Sequence, residues 1–263
     1  MSVARDHLRL RGSYRRLLVV VRHCAWPTIA IQYASAWAVR DAVVHVATVF
    51  EAEHGTGAAY CSGAAPIRDV ARADAVRCAL AARGLDVMQS RVPPAHAGAN
   101  IRDSIARLAK HWGADLVLTD DHAPAHLAQA AACNVLYLPT DGSPRFHVPP
   151  HRLFVAIDDS ASARHAAAEA KRVAGSGELR CAFVSCEPEA GTAHAPTTVI
   201  LTAAQPGDAL AHAILHAALE WRADLLVLGT HGTGPQARWR YGSVAASVAL
   251  LTDMPLLVVP EKS

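Results

Sequence analysis

The chain repeats itself, and this repetition constrains its fold more than any other feature. The apolar run Leu17–Val21 opens the first half, and Leu153–Ile157 opens the second half 136 residues later. Two further pairs of runs follow in the same order, 109 and 121 residues apart: Ala114–Leu118 with Ala223–Val227, and Val135–Pro139 with Leu256–Pro260. Each half alternates apolar β-type runs with alanine-rich helical runs, the pattern of a parallel sheet covered on both faces. With a turn-rich linker at 141–150, we predict two tandem α/β domains over 14–140 and 151–260.

Composition narrows the class of protein. Of 263 residues, 52% are hydrophobic and 18% are charged, which is typical of a globular protein and not of a disordered one. The net charge of +2 gives no reason to expect a nucleic-acid partner. The apolar run behind the N-terminal arginines is too short to span a membrane. The six cysteines form no Cys-x-x-Cys pair, and we expect reduced core cysteines in a cytoplasmic protein.

A glycine loop in the second half carries the clearest functional signal. The run Ala223–Leu228 ends in Gly229, two residues separate Gly229 from Gly232, and nine more precede Gly242-Ser243. Glycines let backbone N–H groups approach an anion closely, and Ser243 can cap the following helix and donate its hydroxyl. The sequence therefore predicts a phosphate site at the junction of a strand and a helix. No P-loop and no Gly-x-Gly-x-x-Gly motif is present.

This segment resembles the ATP-binding type of universal stress protein, whose signature is Gly, two residues, Gly, nine residues, Gly, then Ser or Thr. The resemblance implies tandem domains, each a five-stranded parallel sheet with helices on both faces, of the adenine nucleotide alpha hydrolase-like, Rossmann-like class. It implies ATP as the ligand, with Mg²⁺ left open as its companion ion. The residues it assigns to nucleotide binding are Ala156, Asp158, Val184, Gly229, Gly232, Gly242, Ser243 and Val244.

Asp158 follows the first strand of the second half, where relatives place an aspartate against the adenosine part of the ligand. Its carboxylate can accept hydrogen bonds from ribose hydroxyls or from the adenine amino group. The alternative is that Asp158 caps the helix that begins near Ala161, and the two roles are compatible. Asp159 replaces the family's usual glycine. The resemblance also places the Val184 backbone at the adenine edge.

The first half lacks these features. Arg22 stands where the second half has Asp158, and Asp120-Asp121-His122 stands where it has Gly229-Thr230-His231. The twelve residues of the phosphate loop are missing there. Two carboxylates at a helix N-terminus satisfy its dipole and repel a phosphate. We therefore expect a structural first domain without a nucleotide site.

Two differences between the halves concern assembly. The second half is 27 residues shorter between its first and fourth strands, where the first half has a helical stretch at 67–83, so we expect it to have lost its second helix. The fifth strands, at Val135–Leu138 and Leu256–Val259, are apolar and would be exposed edges unless paired. We expect them to pair within one chain, and we expect a homodimer that uses other surfaces.

Catalytic and metal signals are weak. We predict no catalytic residue, because no Gly-x-Ser-x-Gly is present and no base is evident in the loop. Arg238 and Arg240 could reach phosphates or form a solvated loop edge, and Trp239 could stack on a ligand or anchor the loop.

Two histidine pairs have the i, i+4 spacing of metal ligands, and each lacks a visible third ligand, so no metal is predicted. They are His122 with His126 and His212 with His216.

The sequence favours an ATP-binding regulatory or stress-response module in which hydrolysis is slow or absent. The alternative is a nucleotide-free interaction scaffold that uses the same fold for dimerisation. An adenylating ligase is a third possibility, but it would need a substrate pocket and a base that the sequence does not show.

Overall fold

The structure is a computed structural model that describes residues 12–22, 27–49, 64–92, 100–139, 146–158, 160–185, 199–202, 208–230 and 243–261. Ten strands alternate with seven helices over these residues. The strands are β1 (Tyr14–Val21), β2 (Ala38–Val49), β3 (Asp86–Val92), β4 (Leu116–Thr119), β5 (Asn134–Tyr137), β6 (Arg152–Ile157), β7 (Glu178–Ser185), β8 (Val199–Thr202), β9 (Leu225–Gly229) and β10 (Leu256–Val259). The helices are α1 (Pro27–Trp37), α2 (Ala64–Ala81), α3 (Ile101–Trp112), α4 (Pro124–Ala131), α5 (Ala161–Ala174), α6 (Asp208–Glu220) and α7 (Ser243–Leu251).

All ten strands form one sheet in the order β3-β2-β1-β4-β5-β10-β9-β6-β7-β8. Each half contributes five strands in the same internal order. Neighbouring strands are parallel except for β5 and β10, which pair antiparallel with Val135 opposite Val258 and Tyr137 opposite Leu256. The expected pairing of the fifth strands is therefore confirmed, and it joins the two predicted sheets into one. Pairing removes two apolar edges at once.

The core consists of two apolar layers, one on each face of the sheet. Helices α3, α4, α6 and α7 cover one face, and α1, α2 and α5 cover the other. The predicted helical stretch at 67–83 is confirmed as α2, which begins three residues earlier and ends two residues earlier. Alanines dominate the helix positions that meet the strands, which lets the helices approach the sheet closely.

In both halves, an aspartate just before the fourth strand holds the start of the first strand by hydrogen bonds. Asp115 accepts backbone N–H bonds from Arg15 (2.7 Å) and Arg16 (3.1 Å) at the start of β1. Asp224 does the same for Arg152 (3.0 Å) at the start of β6. An arginine also stacks on a tryptophan in each half: Arg16 on Trp112 at 4.8 Å and Arg152 on Trp221 at 5.7 Å. The repeat seen in the sequence therefore extends to individual polar contacts.

A buried polar cluster joins the halves on one side of the β5–β10 seam. Glu169 of α5 accepts hydrogen bonds from the Tyr14 hydroxyl (2.5 Å) and the Asn134 amide (2.6 Å) of the first half. Arg172 pairs with the same carboxylate, with Nε 2.8 Å from Oε2, and lies over the Tyr14 ring. Burial, followed by the nearby Glu169 carboxylate, raises the pKa of Tyr14. Because these bonds need one specific alignment, they fix the halves relative to each other.

The sheet beyond β6 is less covered than its counterpart in the first half. The first-half residues Val44, Val46 and Thr48 lie beneath α2 and are fully buried. The matching β7 residues Leu179, Cys181 and Phe183 are only half-buried. Residues 186–198, between β7 and β8, lie outside the described residues. The predicted loss of the second helix falls on this segment and stays a prediction.

Candidate functional site

The second half has its topological switch point between β6 and β9. From β6 the chain runs outward to β7 and β8, and it then returns to β9 and β10 on the other side. Val155 of β6 lies opposite Val227 of β9, so that both strands end at the same edge, where Asp158 follows β6 and Gly229 closes β9. Ligands of open α/β sheets bind at such carboxyl edges, where the strand order reverses.

Asp158 is half-buried at this edge, and its Oδ1 accepts the backbone N–H of Ser160 at 3.0 Å. The N-cap of α5 is Ser160, whose hydroxyl accepts the N–H of Ala163 at 3.1 Å. The alternative that Asp158 is itself the helix cap is therefore wrong. Asp158 instead accepts a hydrogen bond from the backbone N–H of the cap residue. This bond holds the Asp158 carboxylate at the end of β6.

Gly229 allows β9 to pass close to the start of α5. A Cβ atom at Gly229 would lie 2.5 Å from Ser162 Oγ, 2.7 Å from the Ser162 carbonyl carbon and 2.9 Å from the Ala163 nitrogen. Two of these atoms belong to the backbone, so a side-chain rotation cannot relieve the clash. The glycine is required by the packing of β9 against the helix that follows Asp158.

The other predicted residues lie in the core, near the carboxyl edge of the sheet, or outside the described residues. Ala156 is 7% exposed and belongs to the core layer beneath α6 and α7, so only its backbone is available to a ligand. Val184 lies near the end of β7, next to β6. Ser243 begins α7, and Val244 is half-buried against the core. Those outside the described residues are Asp159, Gly232, Arg238, Trp239, Arg240 and Gly242.

The equivalent edge of the first half is closed by ion pairs. Asp121, whose side chain is 1% exposed, lies 2.8 Å from Arg22 Nη1 and 2.7 Å from Arg102 Nε. Its Oδ1 also accepts the N–H of Ala123, just before α4. We predicted that two carboxylates at this edge repel a phosphate. In the structure, two arginines also neutralise Asp121, and its carboxylate occupies a place suited to an anion.

Asp120 stands where the second half has Gly229. Its Oδ1 is buried and has no hydrogen-bond partner among the described residues. Burial raises the pKa of the Asp120 carboxyl, and the nearby Arg22 charge partly offsets that increase. Asp120 therefore differs from Asp121, which is fully paired beside it.

Sequence reasoning identified Arg22, Asp120 and Asp121 but missed Arg102. Arg102 lies in the first turn of α3, nineteen residues before Asp121, and nothing in the local pattern marks it. The only available signal was a basic residue in a helical first turn, where a basic side chain opposes the helix dipole.

The predicted histidine pairs have other contacts. His122 Nδ1 lies 2.7 Å from the Tyr137 hydroxyl, and His216 Nδ1 lies 3.6 Å from Glu220 Oε2. No group of three or more potential metal ligands occurs in the described part of the chain.

The described cysteines are all free. They have different environments, because Cys133 is buried, Cys181 is half-buried and Cys78 is exposed. The expectation of core cysteines is thus wrong for Cys78. Burial raises the pKa of the Cys133 thiol to about 12.

Within the described residues, no helix combines the length and apolar character needed to cross a membrane.

The architecture is that of a Rossmann-like α/β protein with a switch-point edge in each half. The model of the universal stress protein family matches residues 207–260, from the start of α6 to the end of β10.

The fold resembles that of solved structures over nearly its full length. A universal stress protein from Archaeoglobus fulgidus DSM 4304 is 16% identical, with a TM-score of 0.67 over 96% of this chain and 98% of that chain. A functionally unknown protein from Pseudomonas aeruginosa PAO1 is 18% identical, with a TM-score of 0.61 over 94% and 93%. At these identities the likeness establishes the fold. No curated protein matches the chain.

Proposed function

We propose that the second half, residues 151–260, binds one adenine nucleotide at the edge formed by β6 and β9, and that the first half, residues 14–140, binds none. The protein is then a cytoplasmic ATP-binding regulatory module of the stress-response type, with hydrolysis slow or absent. The observation that carries this proposal is the difference between the described side chains at the two edges. Asp158 and Gly229 meet at the second-half switch point, whereas Arg22 and Asp121 neutralise each other at the first.

The phosphate part of the proposal depends on the loop from Gly229 to Ser243. β9 delivers the chain to this edge, and α7 begins at Ser243, as the spacing of the glycines predicts. Backbone N–H groups at the start of α7 would face the phosphates, since a helix N-terminus favours anions. Gly232 and Gly242 would leave room for the phosphate oxygens.

The nucleoside part depends on Asp158. Its carboxylate is held by the Ser160 N–H through Oδ1, and Oδ2 is the oxygen we assign to the ribose or adenine. Losing a hydrogen bond to a charged group costs about 1.5–3 kcal/mol, which is roughly a ten- to hundredfold loss of affinity.

The test is calorimetric titration of the full chain with ATP and with adenosine. We expect one site per chain, and we expect Asp158→Ala to weaken ATP and adenosine alike by roughly ten- to a hundredfold. Asp103→Ala, which removes an acidic side chain from the first turn of α3, is the control and should bind normally. Melting curves of each free protein separate a binding defect from a folding defect. Two sites per chain, or none, would contradict the proposal.

The nucleotide-free scaffold remains the competing function, and the fused ten-stranded sheet favours it. The β5–β10 pairing and the Tyr14–Glu169–Asn134 cluster fix the halves together through the protein's own residues. Mass spectrometry of the denatured purified protein distinguishes the two functions. Co-purified ATP, ADP or AMP supports nucleotide binding, and its absence together with a flat titration supports the scaffold.

We also propose a homodimer that uses the less covered face of β7, where Leu179, Cys181 and Phe183 are half-buried. Burying further apolar area there would favour association. Light scattering at micromolar concentration, with and without ATP, tests this part, and a monomer under both conditions would contradict it.

A further inference from the structure

A cavity lies at the edge of the second half opposite to Asp158 and Gly229, where β6 and β9 begin. It has a volume of about 470 Å³ and lies between the segment 146–152 and the C-terminal end of α6. Its lining combines basic groups, apolar groups and one carboxylate: Phe146, His147, His151, Arg152, Leu219, Arg222, Ala223 and Asp224. The cavity is therefore separated from the proposed nucleotide edge by the length of the strands.

The single carboxylate of the cavity is turned towards the backbone. Asp224 is 5% exposed, and its oxygens accept N–H bonds from His147 (3.1 Å), His151 (2.9 Å) and Arg152 (3.0 Å). Among the described residues, Asp115 of the first half accepts two such bonds, both from β1. The extra bond to His147 draws the segment before β6 over the end of α6, and so it builds a wall of the cavity.

The two histidines present stacked rings on this wall. The imidazoles of His147 and His151 lie nearly parallel, with centroids 4.7 Å apart and an angle of 13° between their planes. Both residues are exposed, and neither ring has a hydrogen-bond partner among the described residues. The backbone N–H groups are used to hold Asp224, while the ring nitrogens remain available to a ligand.

Arg222 supplies a free positive charge at the end of α6. It is exposed, and its guanidinium has no hydrogen-bond or ion-pair partner in the described part of the chain. Its φ is +56°, the left-handed conformation that glycine adopts most readily, and the equivalent residue of the first half is Gly113 with φ of +73°. The second half thus places an arginine at a helix end where the first half has a glycine, which adopts this conformation more readily.

The other arginine of the cavity is engaged with the protein. Arg152 donates to the Trp221 carbonyl (3.3 Å), lies 3.4 Å from Glu178 and stacks on the Trp221 ring. Leu219, near the C-terminal end of α6, also lines the cavity and is 46% exposed. The cavity therefore offers free cationic and N–H donor groups beside apolar surface.

We propose that this cavity binds a small organic oxyanion, a carboxylate or a phosphate monoester attached to a flat apolar group. Arg222 pairs with the oxyanion, the rings of His147 and His151 donate to it, and Leu219 and Phe146 contact the apolar group. A guanidinium matches the planar or tetrahedral oxygens of both anions through two N–H groups. The site is independent of nucleotide binding at the carboxyl edge.

The probes are benzoate and phenyl phosphate, with neutral phenol as the matched control lacking the anion. They are titrated into the full-length protein while the imidazole Hε1 signals of His147 and His151 are followed by NMR, assigned with His147→Gln and His151→Gln. We expect saturable shifts of both signals with the two anions, and at least tenfold weaker effects with phenol. Which of the two anions binds more tightly distinguishes a carboxylate site from a phosphate site.

Arg222→Gly separates binding from folding. Glycine adopts the left-handed conformation readily, so this variant should melt no lower than the wild type, yet bind the anions at least tenfold more weakly. Arg107→Gln, on exposed α3 surface, is the charge-matched control and should bind normally. Unchanged affinity in Arg222→Gly, equal binding of phenol, or displacement of the probes by saturating ATP would overturn the proposal.

Discussion

The two carboxyl edges of the sheet have the same strand order but different side chains. After β1 comes Arg22, and after β6 comes Asp158. After β4 come Asp120 and Asp121, and at the end of β9 comes Gly229. At the first edge, the Asp121 carboxylate pairs with Arg22. At the second edge, a backbone N–H holds the Asp158 carboxylate, and β9 ends in Gly229, which has no side chain. The fold therefore supplies a place for a ligand, and a few residues decide whether that place is filled from within.

This difference also explains why one substitution cannot turn the first edge into a nucleotide site. Removing Asp121 leaves two arginines, and it restores neither the twelve missing loop residues nor an aspartate after β1. The first edge is specialised for structure by several residues together. The following predictions test the comparison, from the largest expected effect to the smallest.

Asp121→Asn should have the largest effect. The amide carries no charge to pair with Arg22 and Arg102, so both arginines lose their ion pair with residue 121. We expect a loss of about 3 kcal/mol, at the lower end for breaking a buried ion pair because Arg102 is 36% exposed. Chemical denaturation measures the loss.

Added sulfate sharpens the same prediction. Sulfate can replace the missing carboxylate, so it should stabilise Asp121→Asn more than it stabilises the wild type. The control, Asp103→Asn, changes an acidic residue in the first turn of α3 and should respond as the wild type does. If sulfate raised the stability of all three proteins equally, the Asp121 carboxylate would not be occupying an anion-binding site.

Gly229→Ala should have an intermediate effect. The new methyl group would collide with Ser162 and Ala163, and displacing this backbone should cost about 1–3 kcal/mol. It should also weaken ATP binding, since the start of α5 and Asp158 would shift together. Thermal unfolding and calorimetry measure the two effects.

The double variant Ser162→Ala with Gly229→Ala checks the cause. It removes the nearest contact, Ser162 Oγ, but leaves the backbone atoms at 2.7 and 2.9 Å, so recovery should be small. Full recovery would show that only a side chain, and not the helix backbone, requires the glycine.

Asp120→Asn should have the smallest effect, and its sign should be stabilising. The pKa of this carboxyl is higher in the folded protein than in the unfolded chain, so the ionised form disfavours folding. Its contribution to stability is present at low pH and is lost as pH rises through the folded-state pKa. Asparagine should raise stability at pH 7 by about 0.5–1 kcal/mol, as expected when an unsatisfied buried charge is removed.

The pH dependence distinguishes this explanation from a packing effect. The advantage of Asp120→Asn should shrink as pH falls from 7 towards about 3, below the pKa of the unfolded chain, where the wild-type carboxyl is largely protonated in both states. Melting temperatures of the two proteins across this range are the measurement. A difference that stayed constant with pH would contradict the assignment.

The sequence by itself determined the strands, the helices and the repeat. Apolar runs such as Leu17–Val21 predict buried strands because a parallel sheet covered on both faces must be apolar on both faces. The spacing from Gly229 to Ser243 likewise marked the strand–helix junction at which Asp158 was expected. Pairing of Val135–Leu138 with Leu256–Val259 followed from the need to protect two apolar edges. These features depend on local pattern, which a single sequence displays.

Only the tertiary structure decided which distant side chains meet. Arg102 reaches Asp121 because α3 and the end of β4 share one corner, and Glu169 reaches Tyr14 because β5 and β10 align the two halves. The approach of α5 to Gly229 and the stacking of His147 on His151 have the same origin. Such contacts join residues far apart in the chain, and their energies depend on distance, burial and direction. Local sequence patterns carry none of these quantities, so the chemistry of each edge emerged only when the sheet was assembled.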